Sequence, residues 1–249
     1  MVDKVLLITG ASSGIGAALV RREAKPGVGL VIHARHSGEA LERVADEARK
    51  AGARVETLLG DLVDTATSDA LIARTHDVFG RLDALVANAG FPLLKTFEEG
   101  TEADIEYAFK GNLFSFFRLV RGLRPLLKAG GHGRVVALGS YTAHVFRTDM
   151  PLFPMSAASK GAIETAVRSL AIEFAAENTT VNCVVPGHIN KDAGTRDGVS
   201  EERINQFRHL IPLGRLGEPD EVAALIQFLI SRDASYISGQ IMHVNGAMI

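Results

Sequence analysis

One cysteine in 249 residues, Cys183, excludes an internal disulfide. It lies in the apolar run 181–185, the setting of a small buried core residue, and a reducing compartment fits. Net charge is equally sparse. The 27 basic and 29 acidic side chains leave a formal charge of -2, so the overall balance does not favour a polyanion such as nucleic acid. No apolar stretch reaches the roughly 18 residues of a membrane helix, and the chain enters a strand at once, without a basic-then-apolar leader. The expectation is a soluble, cytoplasmic protein with no membrane partner. Repeats, low-complexity tracts and linker-like runs are also missing, so residues 1–249 read as a single domain. A composition of 47% hydrophobic and 22% charged residues is ordinary for a globular fold and supplies a substantial core.

What is present first is a strand, a glycine-rich turn and a helix. The apolar run 5–8 reads as a strand buried on both faces. Thr9-Gly10-Ala11-Ser12-Ser13-Gly14-Ile15-Gly16 follows, and Ala17 to Val20 continue as a helix. Gly10 can take the backbone angles of a sharp turn, Gly14 removes a side chain where a pyrophosphate would approach, and Gly16 lets the helix pack closely. The helix amino end then offers N–H groups and partial positive charge to a phosphate. Three glycines alone could form a plain tight turn, but the setting favours a phosphate loop.

Strands and helices then alternate. Strands are expected at 28–34, 54–59, 82–87, 134–138, 180–185 and 240–244, with helices at 38–51, from about 65, at 101–128, at 157–177 and at 220–231. This order predicts an α/β fold, a doubly wound Rossmann-type parallel sheet of about seven strands with helices on both faces. A ligand should lie in the crevice at the carboxyl ends of the strands. After the second strand comes His33-Ala34-Arg35-His36-Ser37, with no acid before Glu39. Arg35 can neutralise a 2′-phosphate and Ser37 can donate to it, which favours NADP(H) over NAD(H). The bland reading of Arg35 is a solvated loop charge. In 101–128, Ile105, Phe109, Leu113, Phe116, Val120 and Leu123 recur at helical intervals and form one apolar face, with Asn112 among them.

The spacing of Gly10, Gly14 and Gly16 resembles the cofactor loop of the short-chain dehydrogenase/reductase family, and the resemblance runs through essentially the whole chain. It implies a nicotinamide cofactor held by Gly10, Ser12, Ser13, Gly14, Ile15 and Gly16, although Ser13 is uncharged where NADP-preferring relatives often carry a second base. Asp61-Leu62 matches the place beside the adenine, with Asp61 as a cap for the helix near Thr65 the competing reading. Asn88-Ala89-Gly90 resembles the second hallmark, in which the asparagine holds the sheet and the small residues admit the ribose. Asn112 resembles the helix asparagine that holds a water on the way to the lysine. Ser140, after the fifth strand, matches the catalytic serine, and Lys160 the lysine that binds the nicotinamide ribose. Pro186-Gly187-His188-Ile189 resembles the loop beneath the nicotinamide. Residues 190–200 look like a lid over the substrate, with Lys191 standing where many relatives have threonine. At the carboxyl end, Asn245 and Ala247 replace the commoner acid and glycine.

One departure outweighs these matches. The family pairs a tyrosine with the lysine four residues later, so that both share a helix face. Four residues before Lys160 stands Ser156. Its hydroxyl is shorter in reach and far less acidic than a phenol of pKa about 10. The tyrosine was removed by design, or another acid has been recruited, or the cofactor site outlived the chemistry. Tyr141 would point to the opposite face of a regular strand, and Tyr107 and Tyr236 receive no role. His144 could act only if its loop folds inward; the simpler expectation is an exposed histidine. Phe91, Leu93, Phe146, Phe153 and Met155 hint at an apolar substrate pocket and fit ordinary packing equally well. The expected substrate is a small carbonyl or alcohol. The two long helices have extensive apolar surface of the kind that pairs subunits in relatives, so a homodimer or homotetramer is expected.

Overall fold

A computed structural model of the protein describes residues 2–90, 93–190 and 208–248. Seven parallel strands form one sheet in the order β3-β2-β1-β4-β5-β6-β7. They are β1 (Lys4–Thr9), β2 (Val28–Ala34), β3 (Arg54–Leu59), β4 (Ala84–Ala87), β5 (Arg134–Leu138), β6 (Thr180–Pro186) and β7 (Ile241–Val244). β2 and β5 are buried at every position, as expected of strands covered on both faces. One layer holds α1 (Gly14–Glu23), α2 (Gly38–Lys50) and α7 (Pro219–Leu229), which pack over Leu6, Ile8, Leu30 and Ile32. The other holds α3 (Thr65–Phe79), α5 (Ser115–Ala129) and α6 (Pro154–Phe174), packed on Val5, Leu7, Leu85 and Val135. Successive residues of β1 thus feed opposite cores.

The chain winds outward from β1 to β3, then crosses back so that β4 pairs with the other side of β1. The connections after β1 and β4 therefore diverge, and a crevice opens between them at the carboxyl edge of the sheet.

The expected long helix at 101–128 is not one uniform helix. α4 (Glu102–Phe109) passes into a π turn over Lys110–Phe114 before α5 begins. The wider turn adds a residue and rotates everything beyond it, so the apolar positions do not form one buried face. Phe116, Val120 and Leu123 enter the core, whereas Ile105 is exposed. Other bounds shift by up to three residues. β4 begins at Ala84, α6 already at Pro154 and α7 at Pro219, whose ring occupies the first turn as expected.

Candidate active site

The crevice is a cleft of about 480 Å³ lined by backbone and side chains from five strand ends. Gly10, Ser12, Ser13, Gly14 and Ile15 come from the turn after β1, Arg35 from after β2, Asp61 and Leu62 from after β3, Asn88, Ala89 and Gly90 from after β4, and Ile189 from after β6. The sequence had also marked Gly16, Ser37, Pro186 and Gly187, which lie outside this lining. Gly16 sits behind it, where a Cβ would overlap the Gly10 carbonyl oxygen. Ser37 is the exposed residue preceding α2, with no side-chain cap bond. Gly187 packs against Asn245, whose Cα would lie 2.8 Å from a Cβ at that position.

The turn's geometry follows from its glycines. Gly10 and Gly14 have φ of 68° and 55°, angles that L side chains rarely adopt. A Cβ on Gly10 would lie 2.9 Å from Ala89 Cα, whereas one on Gly14 would meet open space. α1 starts at Gly14, and the Ser13 side chain makes no capping bond. The amino end of α1, with no side-chain cap from Ser13, thus lines the cleft, which suits a pyrophosphate. Asn88 fixes the opposite wall, its Nδ2 donating at 2.9 Å to the carbonyls of both Thr9 and Gly10. The Ala89 N–H donates to Thr9 Oγ1 at 2.9 Å, which completes the link between β1 and β4.

At the far end of the cleft, Asp61 Oδ1 accepts from the Val63 N–H at 3.0 Å. Asp61 does not cap the following helix. Asp64 does so, accepting from the Ala66 N–H at 3.0 Å. Asp61 Oδ2 instead accepts from Tyr107 at 2.8 Å, and Tyr107 in turn accepts from Arg35 Nη1 at 2.9 Å. Tyr107, given no role from sequence, therefore joins two residues of the cleft wall. Sequence reasoning also missed His33 and Gly111, which line it together with Asn190, the first residue of the expected lid. His33 is buried, and its Nε2 lies 2.8 Å from the Gly60 carbonyl. Burial pushes its pKa below the ordinary value.

Lys160, Asn112, Ser156 and Ser140 lie beyond the cleft lining. Lys160 is buried directly under Gly90, where a Cβ would be 2.7 Å from its Nζ and 3.2 Å from Asn112 Oδ1. Its Nζ donates to the Leu138 carbonyl at 2.9 Å, and burial lowers its pKa to about 8. Asn112 sits in the π turn, with Nδ2 donating to Ser159 Oγ at 3.0 Å and Oδ1 buried without a partner. An unsatisfied buried acceptor beside an ammonium is a place where a water would be held. Ser156 is buried in the first turn of α6. Ser140 Oγ accepts from Thr142 N at 3.3 Å and Thr142 Oγ1 at 2.9 Å, so its own proton is directed elsewhere.

His144, in the loop after Ser140, is exposed, as the simpler expectation has it, while its ring still reaches a buried neighbour. His144 Nε2 lies 2.8 Å from Oε1 of the buried Glu164, and its ring meets that of His243 edge-on at 4.4 Å. His144 is outside the cleft lining, so the contact does not bring it to the cleft. Tyr141 opens a short 3-10 turn and packs against His188, with ring centroids 4.4 Å apart. Burial lowers the His188 pKa to about 4. Tyr236 is fully exposed, and so is most of Phe146, whereas Met155 is buried against Gly100. Phe91, Lys191 and the expected lid beyond Asn190 lie outside the described residues.

A family model described as enoyl-(acyl carrier protein) reductase matches residues 10–248. The chain is also 32% identical over 252 residues to the 3-oxoacyl-[acyl-carrier-protein] reductase FabG of Aggregatibacter actinomycetemcomitans, covering 99% of this chain and 100% of that protein. The chain belongs to the short-chain dehydrogenase/reductase family. Its fold matches that of the short-chain dehydrogenase/reductase from Serratia marcescens, with a TM-score of 0.91 and 29% identity over 99% of this chain and 98% of that one. The L-sorbose reductase of Gluconobacter frateurii, solved with NADPH and L-sorbose, gives 0.90 and 29% over 100% and 97%. Among the described residues no group of acidic, histidine or cysteine side chains could hold a metal, and no helix is long and apolar enough to cross a membrane.

Proposed function

We propose that this protein is an NADP(H)-dependent oxidoreductase acting on a small carbonyl or alcohol, with its proton transfer weakened at Ser156. The observation that carries the reading is the cleft that runs from the α1 amino end to Arg35 with no acid at the end of β2. The NADPH complex of the similar L-sorbose reductase supports it. In this reading the N–H groups of residues 12–15 hold the pyrophosphate, Asp61 and Leu62 flank the adenine, and Arg35 with Ser37 takes the 2′-phosphate. Asn88, Ala89 and Gly90 present backbone to the ribose, and Pro186, Gly187 and Ile189 shape the nicotinamide end. The whole chain then works as one catalytic domain.

The nicotinamide, when bound, supplies or accepts the hydride. The chain's own residues must place the substrate oxygen and handle its proton. Ser140 donates to that oxygen. Lys160, one glycine below the cleft, steadies the sugar, and the water held at Asn112 Oδ1 passes protons to the lysine. The side chain at position 156 would exchange a proton with the substrate oxygen, and a serine there is a poor acid. Loss of a positioned acid costs about two to four orders of magnitude in rate.

Ser156 also supports a second reading, a cofactor-binding protein that acts through assembly or partner contacts without turnover. Replacing Ser156 with tyrosine separates the two. NADPH oxidation across a panel of aldehydes and ketones should rise about a hundredfold or more in Ser156→Tyr. A variant that binds NADPH but stays inactive across the panel favours the binding role. Exposed Phe114 and Phe117 around the π turn and Ile172 on α6 support a homodimer or homotetramer, measurable by light scattering. A cytoplasmic location belongs to the same proposal.

A further inference from the structure

Tyr107 stands where three elements meet. α4 begins with a capping box in which Thr101 and Asp104 satisfy each other's backbone N–H groups, and Lys95 pairs with Asp104 at 2.8 Å. The helix start is thereby fixed, and Tyr107 projects one turn later toward the ends of β2 and β3. Its phenol donates to Asp61 Oδ2 at 2.8 Å and accepts from Arg35 Nη1 at 2.9 Å. Arg35 Nη1 and Asp61 Oδ2 themselves form only a loose ion pair, 3.9 Å apart. The phenol is thus a spacer with a direction: it takes one N–H of the guanidinium and relays the contact to the carboxylate.

We propose that Tyr107 is a positioning residue for cofactor choice, holding Arg35 in line for a nucleotide 2′-phosphate and keeping it from collapsing onto Asp61. This inference rests on the NADP(H) reading of the cleft. The Arg35 side chain is 46% exposed, and a long side chain at that exposure samples many rotamers. A fixed acceptor removes much of that freedom before a ligand arrives, which favours binding without adding a contact. Without the phenol, the guanidinium would pair with the carboxylate that already lies beside it. Only a ligand carrying the 2′-phosphate would feel the difference.

The test compares 2′,5′-ADP with 5′-AMP by titration calorimetry on the whole protein. In Tyr107→Phe, which keeps the ring, 2′,5′-ADP should bind about five- to tenfold more weakly, the scale of one typical hydrogen bond, while 5′-AMP changes less than about twofold. In an Arg35→Ala background the same substitution should have no further effect, because Tyr107 acts through Arg35. Equal weakening of both nucleotides, or a full effect that persists without Arg35, overturns the positioning role. If Tyr107→Phe keeps the unmodified protein's preference for 2′,5′-ADP, this inference fails alone. If the unmodified protein shows no preference, the NADP(H) reading fails and takes the inference with it.

Discussion

Gly90 and Lys160 are stacked so closely that a Cβ on the glycine would lie 2.7 Å from the lysine Nζ. The glycine therefore separates the cleft from the buried ammonium by one backbone thickness. Gly90→Ala should push the end of Lys160 aside and disturb its bond to the Leu138 carbonyl. NADPH binding should weaken about tenfold or more, the scale of one displaced charge-assisted hydrogen bond. Calorimetric titration of this variant checks it, and unchanged affinity would argue against a ribose contact from Lys160.

Burial of Lys160 sets a pH dependence of stability. Its pKa falls from 10.5 to about 8 on folding, so the folded state gives up the proton first. Below pH 8 both states carry the charge, and its burial costs about 3 kcal/mol. The cost shrinks as pH rises from 8 toward 10.5, so stability should increase with pH there. Cys183, raised to about 12 by burial, acts in the opposite sense above pH 9. Urea unfolding between pH 8 and 9 should therefore show the rise in the unmodified protein and its absence in Lys160→Met, which should also be more stable at pH 7.

Ala247 has a φ of 67°, a left-handed conformation that costs an L residue about 1–2 kcal/mol. Its N–H donates to Asn245 Oδ1 at 3.2 Å, and Met248 beyond it is buried, so the turn is held in place. Ala247→Gly should raise stability by about 1 kcal/mol and the thermal midpoint by about 2–4 °C. A lower midpoint would show that the side chain contributes more than the strain it carries.

Strands buried on both faces announce themselves as unbroken apolar runs, which is why β1, β2, β5 and β6 could be read from residue order. The turn at Gly10 and Gly14 was legible because few residues tolerate its angles. The π turn was not, since its hydrogen-bond register leaves no trace in apolar spacing. Tyr107 was missed for a different reason: its partners lie 72 and 46 residues away, and nothing local to α4 points to them. The His144–Glu164 contact did leave a signal. Glu164 falls four residues after Lys160 among the buried positions of α6, and a buried carboxylate needs a partner.

The central claim is a phosphate-bearing nicotinamide dinucleotide lying between the α1 amino end and Arg35. Titration of NADPH and NADH into the unmodified protein and into Arg35→Asp tests it most directly. The account predicts tighter binding of NADPH by the unmodified protein and a reversed or abolished preference in the variant. Absence of binding heat from either dinucleotide, or a preference untouched by Arg35→Asp, would contradict it.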